Sequence, residues 1–288
     1  MTLANLLILL LSACIHVVAH IGLRRTQDRP AFVWWMLLWS VILYSPVVLL
    51  VRTGFNRAAW TCVLISSVFD AAYFVAIAKA YQHGDLSVVY PLARGSAPAM
   101  LLIWSTLILR ESVTPGGVLG VLVIVSGLYL GNLPSLGSWL EPVRRLRSAA
   151  PRWALLAGLA TSIYTAIDKV GVSHASPILY TYVDVALTWA WLTPLAVLST
   201  GWKRLSTELS SSRYFVVLAG FTTVAAYGLV LIAMQRGTPA SYAGAIREFS
   251  VVIAAAIGVL VFKESSGPMR VVGSVLVALG VGLIGILG

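Results

Sequence analysis

Long apolar stretches alternate with short polar intervals along the whole chain. Taking runs of about 17 to 25 mostly apolar residues as membrane-crossing helices gives spans near residues 2–23, 32–52, 60–80, 87–109, 115–133, 153–171, 177–199, 213–234, 240–262 and 268–287. Ten helices leave little chain over. The longest polar interval, from about Pro134 to Arg152, is a loop rich in Pro, Ser and Arg. It has no room for an aqueous domain, so the protein's chemistry lies within the bilayer.

The same pattern occurs twice. Sliding the chain by 153 residues matches Gln82 with Gln235, Gly84 with Gly237, Arg94 with Arg247, Glu111 with Glu264, Pro115 with Pro268, Gly120 with Gly273 and Gly127 with Gly280, without a gap. The expected fold is therefore all-α: ten transmembrane helices in two five-helix repeats, residues 1–136 and 152–288, joined by a connecting loop at 137–151. Five is odd, so the second repeat enters the membrane from the opposite face. Inverted repeats of this kind place a binding site near the midplane between the halves.

Composition agrees: of 288 residues, 59% are hydrophobic and 10% charged, with mean hydropathy +0.91, far from soluble domains. Cys14 and Cys62 both fall inside spans, where a thiol behaves as a small hydrophobe. Leu11-Ser12-Ala13-Cys14 has the look of a lipoprotein cleavage box, but no Lys or Arg precedes it and the apolar run continues past it, which argues against lipidation. The net charge of +10 comes without a long basic run or an RNA-binding signature, so the expected partners are the lipid bilayer and a small-molecule substrate, not nucleic acid. Intervals after odd-numbered spans hold thirteen Lys and Arg, against five after even-numbered spans. By the positive-inside rule both termini lie outside the cytoplasm. The expected location is the cytoplasmic membrane.

Arg94 and Arg247 are each about the eighth residue of their spans, so each lies roughly 5 Å from the midplane. An unpaired arginine there costs on the order of 3 kcal/mol, which directs each to an aqueous cavity or a partner. Pro91 and Pro98 flank Arg94, which predicts a kink and freed backbone groups. Asp70 shares a face with Tyr73 and Phe74 and serves either as an ion-pair partner of an arginine or as a carboxylate for a proton or an ammonium group. Glu248 points about 100° away from Arg247 around the helix and carries the same two alternatives. Asp184, aligned with Tyr180, Thr188 and Trp191, is expected to be structural. Thr161, Tyr164, Thr165 and Asp168 form one polar face; Tyr164 is the cavity candidate, whereas Asp168 and Lys169 are expected to mark the interface. Ser12, His16 and His20 share a face of the first span. A metal there would lack a third ligand, so no metal is expected, and His16 is instead a candidate proton carrier. Glu111 and Glu264 are expected to anchor span ends. Trp34, Trp35, Trp60, Trp139, Trp153 and Trp202 suit an interfacial belt, with Trp104 deeper. Gly116, Gly120, Gly127 and Gly131 offer close-packing faces within one chain or in a homodimer.

The stretches "AKAYQHGDLSVVYPLARGSAP" and "LRESVTPGGVLGVLVIVSGLYL", echoed by "FKESSGPMRVVGSVLVALGVGLIGIL", resemble the drug/metabolite transporter superfamily, EamA type. The opening "LLSACIHVVAHIGLRR" is similar to a first-helix pattern of one branch, with His16 in place, Val18, Ala19 and His20 departing, and Arg24 where that branch has Lys. The resemblance implies a central cavity lined mainly by helices 1, 3, 4, 6, 8 and 9, with 5 and 10 more peripheral, and both termini in the cytoplasm, opposite to the loop charges. It also implies export or exchange of amino acids, other metabolites, drugs or nucleotide sugars.

Together these features predict a secondary transporter. Arg94 and Arg247 would meet a substrate carboxylate, Tyr90, Tyr73 and Tyr164 its body, and Asp70, Glu248 or His16 would handle an amine or a proton. An amino acid or similar zwitterion satisfies both charge signs. The alternatives are a multidrug or cationic-compound exporter, although helix 1 lacks the acid that small multidrug pumps use, an intramembrane enzyme, or a receptor or structural subunit. GxSxG, HExxH and GxxxxGK[ST] are all absent from the sequence, so no catalysis, cofactor or direct ATP drive is expected. A monomer or homodimer suffices.

Overall fold

The computed structural model describes residues 1–26, 28–51, 54–84, 86–144, 146–260, 263 and 267–288, without the side chains at 20–25, 86–88, 90–91 and 143. Every regular element among the described residues is a helix: α1 (Leu3–Arg25), α2 (Arg29–Leu50), α3 (Arg57–His83), α4 (Leu86–Ile103) running into a π-turn at Trp104–Ile108, and α5 (Pro115–Leu130) make the first repeat. A 3₁₀ turn (Leu136–Ser138) and the short α6 (Glu141–Arg144) occupy the connection. The second repeat holds α7 (Ala149–Gly171), α8 (Pro177–Thr200), α9 (Trp202–Gln235), α10 (Ala240–Arg247), α11 (Phe249–Leu260) and α12 (Pro268–Leu287).

Local chemistry sets the boundaries. Side chains of Asp28, Asn56 and Thr114 accept hydrogen bonds from the backbone N–H groups of Ala31, Ala59 and Gly117, at 3.1, 2.8 and 3.0 Å, satisfying donors that a helix start leaves unpaired. Pro115, Pro177 and Pro268 open α5, α8 and α12, where the missing N–H is no loss. Six helices, α2, α3, α8, α9, α12 and α10–α11 taken together, are long and apolar enough by themselves to cross a membrane. α7 falls outside that group because of its polar face.

The irregular points differ from the expected kink in the fourth span. α4 stays α-helical through Pro98 to Ile103, and its departure is the π-turn beyond. The ninth span divides at Glu248, between α10 and α11. The eighth span continues back to Trp202, across a non-helical Ser212.

Packing partners exchange under the repeat. α1 packs on α9 as α7 packs on α3, and α2 packs on α9 as α8 packs on α3. The α5–α12 contact is the clearest case. A Cβ added at Gly120 would lie 2.8 Å from the carbonyl oxygen of Gly280, and one at Gly127 would lie 2.7 Å from that of Gly273. Gly120 and Gly273 are equivalent, as are Gly127 and Gly280, so the two contacts are one contact seen from either half. That self-complementarity is the mark of a two-fold relation. Position rises along α5 as it falls along α12, so the equivalent helices run antiparallel. The glycine faces of α5 thus serve packing within the chain.

Trp34, assigned above to the interfacial belt, is buried. Its Nε1 donates to Thr193 Oγ1 at 3.0 Å, and its ring lies 4.7 Å from Trp35 and 5.8 Å from Trp189. It ties α2 to α8, since a ring near a span end packs inward when a neighbouring helix offers both surface and an acceptor.

Candidate functional site

Where the halves meet, α4 carries Arg94 toward the α10–α11 break. Its Nη1 donates to both carboxylate oxygens of Glu248, at 3.2 Å each. This ion pair crosses between the repeats, with Glu248 buried and Arg94 17% exposed. It also makes the two arginines unlike each other, because Glu248 stands where the first repeat has Gly95.

Among the described residues no carboxylate is within ion-pair distance of Arg247. Its guanidinium carbon sits 5.9 Å from the centroid of the Tyr227 ring, and its buried Nε has no hydrogen-bond partner. Arg247 and Glu248 border a small, partly open cavity of about 10 Å³, with Pro98, Thr161, Ser162 and Thr165, about enough for a single water molecule. The buried Thr165 Oγ1 is also without a partner. Two residues with unsatisfied buried polar atoms thus line one small cavity.

An aromatic row leads away from the guanidinium. Tyr227 on α9 lies 6.3 Å from Tyr164 on α7, which lies 6.5 Å from Tyr73 on α3, which in turn meets Phe74 at 5.1 Å. Behind this row, Asp168 is fully buried and accepts hydrogen bonds from Ser66, from Tyr227 and, at 3.0 Å, from Tyr180. Asp168 is thus no interface marker. α7 lies along α3 over its length, so the end of the helix is enclosed by protein.

Lys169, the next residue, is turned into the protein as well. Its ammonium reaches Glu111 at 3.2 Å and the carbonyl oxygens of Met234 and Thr238 at 2.7 and 2.9 Å. Glu111 also accepts from Ser105 and, at 2.8 Å, from the N–H of Ala240. The pair latches the ends of α7 and α9 and the start of α10 to the segment beyond α4.

Asp70 accepts from Thr188 Oγ1 at 3.2 Å; among the described residues no arginine is within ion-pair distance of it. Asp184 is 2% exposed and its Oδ1 has no partner. The Trp104 Nε1 donates to Ser162 at 2.9 Å, so that ring packs inside the protein. His16 is half-buried on α1. The side chains of Tyr90 and His20, and Glu264 altogether, lie outside the described residues.

The structure therefore gathers Arg94, Arg247, Glu248, Tyr164 and Tyr73 at one interface and adds Thr165, Asp168 and Tyr227. Thr165 and Asp168 were visible as the polar face of α7. Tyr227 had no sequence signal, being one ring in a long apolar span.

The profile of the EamA-like transporter family matches residues 2–133 and 150–286, one match on each repeat. No curated protein matches the chain. A solved structure titled "Crystal structure of protein" is similar over 99% of this chain and 98% of its own, with a TM-score of 0.78 and 16% identity, a likeness of fold.

Proposed function

Because the chain belongs to the EamA-like transporter family, we propose that it is a secondary transporter that exports or exchanges a small zwitterion, an amino acid or a similar metabolite, across the cytoplasmic membrane by alternating access. The observation that carries this proposal is Arg247, a guanidinium at the repeat interface with an unsatisfied Nε, next to the unsatisfied Thr165 Oγ1. A substrate carboxylate accepts from both groups, gaining charge-assisted hydrogen bonds. The ring row of Tyr227, Tyr164 and Tyr73 offers flat apolar surface for the body of the substrate. Asp70, close to that row on α3, is the counterpart for an amine.

Arg94 plays a different part. Glu248 already holds it with a carboxylate of the protein's own, so a substrate carboxylate reaches Arg94 only by displacing Glu248. Since that pair joins α4 to α10, its exchange couples occupancy to the relative position of the halves. A ligand shifts such an equilibrium only by its differential affinity for the two states. The cavity of about 10 Å³ is too small for an amino acid, so this conformation opens when it binds substrate.

The test is uptake into proteoliposomes holding the purified full chain, screened over amino acids, organic cations and anionic metabolites. Saturable flux of a zwitterion whose KM is raised in Arg247→Ala supports the assignment. Flux confined to cations would favour the cationic-compound exporter instead.

A further inference from the structure

Among the described residues, Arg94, Lys169 and Arg247 enter the interior of the bundle with the acids. Arg94 pairs with Glu248 and Lys169 with Glu111. Asp168 accepts hydrogen bonds from three hydroxyls and Asp70 from Thr188. Asp184 is 2% exposed; among the described residues its buried Oδ1 has no hydrogen-bond partner and no cation lies within ion-pair distance of it. A carboxylate so buried, without a cation among the described residues, needs a partner that burial admits.

We propose that Asp184 is a proton-binding site and that transport is coupled to the proton it carries. The step is simple protonation: the carboxylate takes one proton from water as its O–H bond forms and returns it when that bond breaks. The titratable groups around Asp184 are Asp70 on α3 and Tyr227 on α9, both helices packed on α8, Tyr180 on α8 itself, and Asp168, which accepts from both tyrosines. Burial selects the ligand. At 2% exposure Asp184 admits a proton more readily than a metal ion or an organic ammonium. Asp168 links it to the substrate row, since the Tyr227 hydroxyl bonded to Asp168 belongs to the ring under Arg247. Movement of α9 with substrate changes the donors around Asp168, and with them the negative potential at Asp184.

This inference rests on the transporter assignment for its purpose, but the test of proton binding needs no substrate. Infrared difference spectra of the purified full chain, taken between acidic and alkaline buffers, report protonated carboxyls by their carbonyl stretch. The parent is expected to show a titrating band that is absent in Asp184→Asn and persists in Glu208→Gln, which removes another buried carboxyl. Asparagine is the neutral isostere of the protonated acid, so Asp184→Asn is expected to keep the parent's elution profile and unfolding temperature. A band that survives in Asp184→Asn, no titrating band in the parent, or collapse of the neutral variant would each overturn the proposal. Solute flux without the band would sink proton coupling and leave the transporter intact; the band without flux of any screened solute would do the reverse.

Discussion

Arg94 and Arg247 are the same residue of the repeat in different electrostatic settings, and one neighbour makes the difference. Where the first half has Gly95 the second has Glu248, which reaches across to Arg94 and leaves Arg247 unmatched. Arg247→Ala is expected to raise KM for the substrate about tenfold to a hundredfold, corresponding to the roughly 1.5–3 kcal/mol of a hydrogen bond to a charged group, as read from concentration-dependent uptake. Glu248→Gln is expected to lower KM, since its amide holds Arg94 less tightly and no longer competes as a carboxylate. An unchanged KM in that variant would count against Glu248 as the competitor. The two arginines were legible in the sequence because charge in an apolar run is conspicuous and the repeat lines them up. Their difference in partner was not, because Arg94 and Glu248 are 154 residues apart and meet only when the halves fold together. Asp168 was misplaced for a related reason: distance from a span end measures depth in a flat slab, whereas burial depends on which helix lies alongside.

Helices of this protein pack by backbone approach where glycines repeat. Gly127 puts its Cα face 2.7 Å from the Gly273 carbonyl oxygen and 2.9 Å from the Val277 nitrogen, measured from an added Cβ, and Gly273 would meet Gly131 Cα at 2.3 Å. These neighbours are backbone and cannot rotate away. Gly127→Ala is expected to push α5 from α12 and to cost about 1–3 kcal/mol, seen as a lower unfolding temperature in detergent; Gly282→Ala, with open space around it, serves as the neutral comparison. The latch at the other elements acts through charge. Lys169→Met removes three interactions and leaves Glu111 without its cation, with an expected loss of about 2–3 kcal/mol and faster reaction of a cysteine introduced at Thr238 with a thiol reagent. Helix positions and caps were readable from apolar length and from Asp28, Asn56, Thr114 and the opening prolines. The break at Glu248 was not, as no proline or glycine marks it, and it arises where the carboxylate turns to meet α4.

At the scale of the whole molecule, antiparallel halves leave open which face meets the cytoplasm, and the loop charges and the family resemblance point to opposite answers. Thirteen basic residues lie at the end holding the α1–α2, α3–α4 and α8–α9 connections and five at the other. Folding sharpens this bias. Lys169, one of the five, spends its ammonium on Glu111, Met234 and Thr238 and holds no lipid phosphate, whereas Lys79, Lys203, Arg204 and Arg213 remain exposed. Charges that stay at the surface are the ones an anionic cytoplasmic leaflet attracts, each by about 1 kcal/mol. By this charge bias the Lys169–Glu111 latch is expected on the outer face. In a background with Cys14 and Cys62 replaced, Ser173→Cys in the exposed α7–α8 turn is expected to react with an impermeant maleimide on intact cells. Ser206→Cys, exposed near the start of α9, is expected to react only after the membrane is opened. The reverse pattern would place the latch on the cytoplasmic side and make the charge excess an outward one, which surface lysines and arginines of this number strongly disfavour.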